Sequence, residues 1–320
     1  MGLASFGTVA FQRPVSTPRR NRFGDRQCTR PEALLAVSLA LAATPAVAIA
    51  QGERPPVALS DTMGSFLFVD SRGDADRPIT VWYYRPAGLR PGARIVFVMH
   101  GSSRTAQAAR DIVAAYGRRH GLVVLAPEFS ERYYPGDTYA FGNMADSVGR
   151  LRPESRWALS AIEHLFDAVR QAAGLTTPTY DIIGHSAGGQ FVHRLVLFLS
   201  GARFRRAVAS SPGRYALPLL REAFPYGLGG TAIDSTVLAH ALSRDFVLLL
   251  GDQDTEDSAR EPAAMNQGRN RFARGLRFFA AATDAANQVG APLAWRLVIV
   301  HGADHTPGPM VRAGLRELAR

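Results

Sequence analysis

The segment Tyr180-Asp181-Ile182-Ile183-Gly184-His185-Ser186-Ala187-Gly188-Gly189 reads as a buried strand, a tight turn and the start of a helix. A serine at such a turn adopts a strained backbone that lifts its hydroxyl out of the sheet. Glycines flank it because side chains there would collide with neighbouring backbone. The pattern Gly-x-Ser-x-Gly alone is modest evidence, since chance supplies it in about one chain in six of this length. Its position after an apolar strand is what makes Ser186 the candidate nucleophile.

Working outward, five further short apolar runs share the character of that strand. They are Ile95-Val96-Phe97-Val98-Met99, Leu122-Val123-Val124-Leu125, Ala207-Val208-Ala209, Phe246-Val247-Leu248-Leu249-Leu250 and Leu297-Val298-Ile299-Val300. Continuous apolar runs of this length suit strands covered on both faces, the habit of parallel sheets. Segments with helical spacing lie between them, about 105 to 119, 187 to 200, 269 to 289 and 308 to 319. The clearest places Trp157, Ala161, Ile162, Leu165, Phe166 and Val169 on one stripe. Ahead of these, Phe66-Leu67-Phe68-Val69 and Ile79-Thr80-Val81-Trp82-Tyr83-Tyr84 read as an antiparallel strand pair. The fold class is therefore α/β, a mostly parallel doubly wound sheet with an antiparallel N-terminal pair and helices on both faces. Chemistry in such sheets sits beyond the carboxyl ends of the strands.

Three of those ends carry matching residues. Serine is a poor nucleophile at its free pKa, so Ser186 needs a base and a group that orients the base. Gly251-Asp252-Gln253-Asp254-Thr255 offers the carboxylate after its strand, with Asp254 preferred to Asp252 because it lies further into the loop. Asp257 reads as a solvated or helix-capping residue. His301-Gly302-Ala303-Asp304-His305 offers the base, His305, whereas His301, nearer the strand end, reads as a buried structural histidine. An imidazole near pKa 6.5 predicts activity that falls on acidification, with a midpoint within about a unit of that value. The loop His100-Gly101-Ser102-Ser103 supplies one backbone N–H of an oxyanion hole, from Ser102, and Ala187 the other. A metal site through His301, Asp304 and His305 is disfavoured because no His-Glu-x-x-His spacing accompanies it. His193 reads as a packing residue, and Gly227-Leu228-Gly229-Gly230 as a turn, not a phosphate cradle.

Composition bounds the rest. The 320 residues are 47% hydrophobic and 20% charged, an ordinary globular balance. All 37 basic residues are arginine, which reads as codon bias before any functional demand, and no basic run is interleaved with aromatics as nucleic-acid binding would ask. Arg13, Arg19, Arg20, Arg22, Arg26 and Arg30 precede an apolar run from Ala33 to Ala50 that ends in Ala48-Ile49-Ala50. That order predicts a signal peptide over residues 1–50, cleaved after Ala50, with an uncleaved N-terminal anchor as the alternative. The charged region is long for such a leader, which leaves the true start of translation open. Cys28, the single cysteine, lies inside it, so the mature chain has no disulfide and no thiolate. Residues 51–320 read as one domain, a monomer in the periplasm or secreted, with no stable membrane span once the leader is gone.

The loop beginning His100-Gly101, Ala126-Pro127-Glu128-Phe129-Ser130, the Ser186 turn, Leu250-Gly251-Asp252-Gln253-Asp254-Thr255 and Asp304-His305 together resemble secreted bacterial α/β hydrolases similar to polyhydroxybutyrate depolymerases and feruloyl esterases. The resemblance spans nearly the whole chain after the leader. It implies an α/β-hydrolase fold and cofactor-free ester hydrolysis through an acyl-enzyme, with Ser186, Asp254 and His305 at the triad positions and a small or oligomeric ester as substrate. A peptidase or amidase with the same triad, and a catalytically silent fold serving as a binding module, are the alternatives. The segment from Glu131 to Met144 is long, aromatic and irregular, which suggests a lid or binding loop. Its tyrosines would line a pocket for short or aromatic acyl groups in preference to long lipid chains or solid polymer.

Overall fold

The computed structural model describes residues 57–256 and 262–320, all within one compact unit, Glu53–Arg320. The expected leader, Cys28 and Asp257 lie outside the described residues. Eight strands form one sheet: β1 Met63–Phe68, β2 Ile79–Tyr84, β3 Ile95–Met99, β4 Val123–Glu128, β5 Tyr180–His185, β6 Phe204–Ser210, β7 Phe246–Gly251 and β8 Arg296–Val300. Their order is β1-β2-β4-β3-β5-β6-β7-β8. Strand β2 pairs antiparallel with both β1 and β4, and every other pairing is parallel.

Successive side chains of a strand point to opposite faces, and the core divides accordingly. Ile95, Phe97 and Met99 of β3 join one hydrophobic cluster while Val96 and Val98 join the other. On the first face pack α2 (Ala158–Ala173), α3 (Ala187–Phe198), α4 (Ser235–Leu242) and α6 (Arg271–Val289). On the second pack α1 (Ala106–His120) and α7 (Pro307–Ala319). A short helix, α5 (Pro262–Met265), completes the set among the described residues. Trp157, expected inside a helical stripe, instead stands in extended backbone just before α2 and donates its indole N–H to the Arg152 carbonyl at 2.9 Å.

Two sequence features needed the third dimension. Strand β6 starts three residues before its apolar run because Arg205 and Arg206 are paired where they leave the strand, Arg205 with Asp181 at 2.9 Å and Arg206 with Asp245 at 2.6 Å. Strand β4 runs on to Glu128 because β2 pairs along it as far as that residue. The connection after β3 runs to one side of the sheet and that after β5 to the other. The topological switch point therefore falls between the carboxyl ends of β3 and β5, where a ligand crevice is expected in this architecture.

Candidate active site

Ser186 follows β5 at that switch point. Its φ of 57° and ψ of −116° put a non-glycine residue in sparsely populated backbone, held by a hydrogen bond from its N–H to the Ser210 carbonyl at 2.9 Å. The glycines around it are forced by close approach. A Cβ on Gly184 would lie 2.2 Å from the Gly188 carbonyl oxygen, and one on Gly188 would lie 2.2 Å from the Met99 carbonyl oxygen. The turn thus packs directly against the neighbouring β3 backbone, and the serine hydroxyl is left as the group that projects.

From the other side come the loops after β7 and β8. Asp252 and Gln253 donate backbone N–H groups to Val300 and Ala303 at 3.4 and 3.0 Å, so the two loops are fastened together. His305 Nε2 lies 3.0 Å from Ser186 Oγ, and its Nδ1 lies 2.7 Å from Asp254 Oδ2. The other Asp254 oxygen accepts from Arg271 at 3.0 Å. Burial pushes the Asp254 carboxyl up, but the hydrogen bond from His305 and the charges of His305 and Arg271 outweigh it and hold the group below its ordinary value. Asp254 therefore stays an acceptor aimed at Nδ1, which selects the tautomer whose Nε2 can accept from the serine hydroxyl.

Asp252 takes no part in this chain. One of its oxygens accepts from the Gly302 N–H at 2.8 Å and the other lies 2.9 Å from His301 Nδ1. His301 does not match the expectation of a buried histidine: its side chain is 87% exposed, because β8 ends at Val300 and the chain turns outward through Gly302, whose φ is 72°. Asp304 caps the Thr306 N–H at 2.8 Å, so His301, Asp304 and His305 face separate partners and do not converge as metal ligands would.

Ser102, after β3, and Ala187, the first residue of α3, each lack a hydrogen-bond partner for the backbone N–H among the described residues, and both line the cleft above Ser186. The turn that carries Ser102 closes through the Arg104 N–H donating to Gly101 at 3.2 Å, with Arg104 at a φ of 59°. Its guanidinium then reaches the carbonyls of Phe129, Tyr134 and Gly136 and the Glu131 carboxylate at 2.8 to 3.1 Å.

That reach fastens the segment Glu131 to Met144, whose Glu131, Asp137 and Tyr139 line a cleft at Ser186, Tyr139 by the little of it that is exposed. Tyr134 and Tyr139 are buried, Tyr139 stacks on His100 and Phe129, and its hydroxyl donates to the His100 carbonyl at 2.9 Å. The segment is a packed wall. Its aromatic side chains were not attributable to the core from sequence because no periodicity organises them.

Two buried histidines also went unassigned by sequence. His185 Nε2 donates to the His305 carbonyl at 3.1 Å, its Nδ1 accepts from the Ser210 hydroxyl at 3.1 Å, and its ring packs 4.7 Å from that of His305. His100 Nε2 accepts the Phe129 N–H at 3.1 Å. Burial lowers each to a pKa of about 4, with the neighbouring His305 adding to the effect at His185, so both are neutral supports. His193, within α3, is buried and accepts the Ala216 N–H at 3.0 Å.

Two clefts meet at Ser186. One of about 350 Å³ runs between α1 and α7 and is walled by Ala108, Ala109, Ile112, Pro307 and Val311, with His305 at its edge. The other, of about 580 Å³, is walled by Arg104, Arg214, Arg271 and Arg274, with Glu131 and Asp137 opposing them. No helix among the described residues is long and apolar enough to cross a membrane.

No protein-family model and no curated protein sequence matches the chain. Solved structures do. Poly(aspartic acid) hydrolase-1 from Sphingomonas sp. KT-1 is 38% identical with a TM-score of 0.79, over 82% of this chain and 100% of that one. The poly(3-hydroxybutyrate) depolymerase LpqC from Bordetella parapertussis is 35% identical with a TM-score of 0.76, over 81% of this chain and 90% of that one. An acetyl xylan esterase from Aspergillus awamori, 13% identical with a TM-score of 0.52 over 80% of this chain and 99% of its own, shares the fold. With an eight-stranded sheet of the same architecture and two bacterial relatives above 30% identity along nearly their whole length, the chain belongs to the esterase-like α/β hydrolases and is an enzyme of the hydrolase class.

Proposed function

We propose that the protein hydrolyses carboxylic esters through an acyl-enzyme formed on Ser186. The observation that carries this reading is the unbroken hydrogen-bond chain Asp254, His305, Ser186, ending on a strained serine at the switch point. In the first half-reaction Ser186 Oγ bonds to the carbonyl carbon as its proton passes to His305 Nε2. The charge that develops on the carbonyl oxygen is met by the Ser102 and Ala187 N–H groups, each worth about 3 kcal/mol in such a site. The carbon–oxygen bond to the leaving group then breaks, and the alcohol departs with the proton from Nε2. In the second half water gives its proton to Nε2, its oxygen bonds to the acyl carbon, and collapse returns the proton to Ser186 with release of the acid. The chemistry calls for no cofactor, and the basic, then apolar, then small-residue leader supports action after export.

Amide hydrolysis by the same residues is the second reading. It is favoured by the poly(aspartic acid) hydrolase among the relatives, since that polymer is joined by amide bonds. Steady-state rates on matched p-nitrophenyl esters and anilides test both. Ester turnover that disappears in Ser186→Ala supports the first reading, and faster turnover of the anilide supports the second. Undiminished hydrolysis by Ser186→Ala overturns both.

A further inference from the structure

Of the two clefts that meet at Ser186, the arginine cleft has acids and guanidinium groups in its walls, and the cleft between α1 and α7 has neither among the described residues. This apolar cleft owes its shape to small side chains. Thr105 is followed at three, four and seven residues by Ala108, Ala109 and Ile112, the spacing of one face along the first turns of α1. Pro307 and Val311, four residues apart at the start of α7, form the facing wall. Ala106, Val113 and Ala114, on another face of α1, are already buried in the core. The stripe that faces the cleft is left uncovered, with Ala108 exposed and Ile112 37% exposed.

Val98 of β3 and Ile183 of β5 line the same cleft, and both belong to the hydrophobic cluster that α1 and α7 cover. His100 and His185, which also line it, are neutral, since burial lowers each to a pKa of about 4. An ionised group seated there would lose its water with no acid or arginine in the lining to meet it. An alkyl group would instead gain up to about fourfold for each methylene taken out of water. The volume, about 350 Å³, is near the small end for ligand pockets and suits a compact group.

We propose that the apolar cleft is a subsite for an uncharged, compact alkyl group on one side of the scissile bond, and that Ala109, Ile112 and Val311 set how large that group can be. This rests on the Ser186 acyl-enzyme reading. Ser186 itself lines the cleft, so the group seated there is joined to the reacting carbonyl without a long spacer. Ala108 and Ala109 act by their size, since larger side chains on that face of α1 would occupy the space the substrate needs.

The test follows hydrolysis by titration of the released acid along two series that start from methyl acetate. Methyl butanoate and methyl hexanoate lengthen the acid, and their isomers propyl acetate and pentyl acetate lengthen the alcohol. We expect kcat/KM, taken relative to the rate with hydroxide, to rise along one series by about two- to fourfold per methylene and to stay nearly flat along the other. The rising series identifies the half of the ester that enters the cleft. Ala109→Phe, which fills the cleft, should lower the ratio of the longest ester of that series to methyl acetate by at least about tenfold. Ile112→Ser, a change at an exposed position that removes apolar wall without filling space, should lower the same ratio by about threefold or more. Each ratio is taken within one variant, so a loss of folded protein cancels. No rise along either series, an equal rise along both, or a rise that keeps its size in both variants would overturn the proposal. The acyl-enzyme reading fails separately, through turnover of methyl acetate that persists in Ser186→Ala.

Discussion

Two carboxylate–imidazole pairs stand side by side on the loops after β7 and β8, and they differ in almost everything except chemistry. Asp252 meets His301 at 2.9 Å and Asp254 meets His305 at 2.7 Å. The His301 side chain is 87% exposed, while the Asp254 side chain is 2% exposed and shared with Arg271. In the outer pair, water competes for both partners and the carboxylate serves to pin the Gly302 turn. In the inner pair, burial strengthens the hydrogen bond and a third group on each side fixes its direction, Arg271 behind the acid and Ser186 ahead of the base. The distance between an acid and a histidine therefore says little. What separates the loop fastener from the proposed proton relay is burial together with a serine hydroxyl within reach of the second ring nitrogen.

The comparison breaks most visibly on substitution of the two acids. Asp254→Asn leaves the geometry but presents Nδ1 with a donor, so the wrong tautomer is favoured and kcat should fall by about three to four orders of magnitude. Stopped-flow and steady-state rates on a p-nitrophenyl ester check this, and a loss under tenfold would refute the role given to Asp254. His185→Phe should cost about ten- to a hundredfold in kcat with little change in KM, because the His305 backbone loses its donor and the imidazole is displaced from Ser186. A change confined to KM would show that His185 shapes binding instead.

Protonation gives a third contrast, now in stability. His100 and His185 have folded pKa values of about 4, lowered by burial from an unfolded value near 6.5. Below pH 6.5 the unfolded chain takes up protons that the folded one refuses. The contribution is therefore complete above the unfolded pKa and is lost as pH falls toward 4. At pH 5 the loss amounts to about 2 kcal/mol for each histidine. Urea midpoints measured from pH 7 to 5 should fall accordingly, and a His100→Gln, His185→Gln double variant should flatten the slope. The smallest effect belongs to the outer pair: Asp252→Asn should leave kcat/KM within about threefold of the parent, as expected for an exposed ion pair.

The sheet and the three loops that meet at the candidate site were legible in sequence because they rest on local signals. Apolar runs mark β3, β5 and β7, and Gly184 and Gly188 mark a close backbone approach. The arginine cleft was not. Arg104, Arg214, Arg271 and Arg274 come from four distant segments, and in a chain whose 37 basic residues are all arginine no local contrast singles them out. The buried state of Tyr134 and Tyr139 was equally hidden, since it depends on Arg104 drawing an aperiodic segment onto the turn after β3. His301 was misread because a single residue separates the buried end of a strand from an exposed turn.

The central claim is that the inner pair activates one serine, and active-site labelling tests it most directly. The full chain, treated with a fluorophosphonate and digested, should carry the phosphonyl adduct on the peptide containing Ser186. Labelling should be lost in Ser186→Ala, strongly slowed in Asp254→Asn and nearly unchanged in Asp252→Asn. An adduct on another residue, or labelling of Asp254→Asn at the parental rate, would contradict the account.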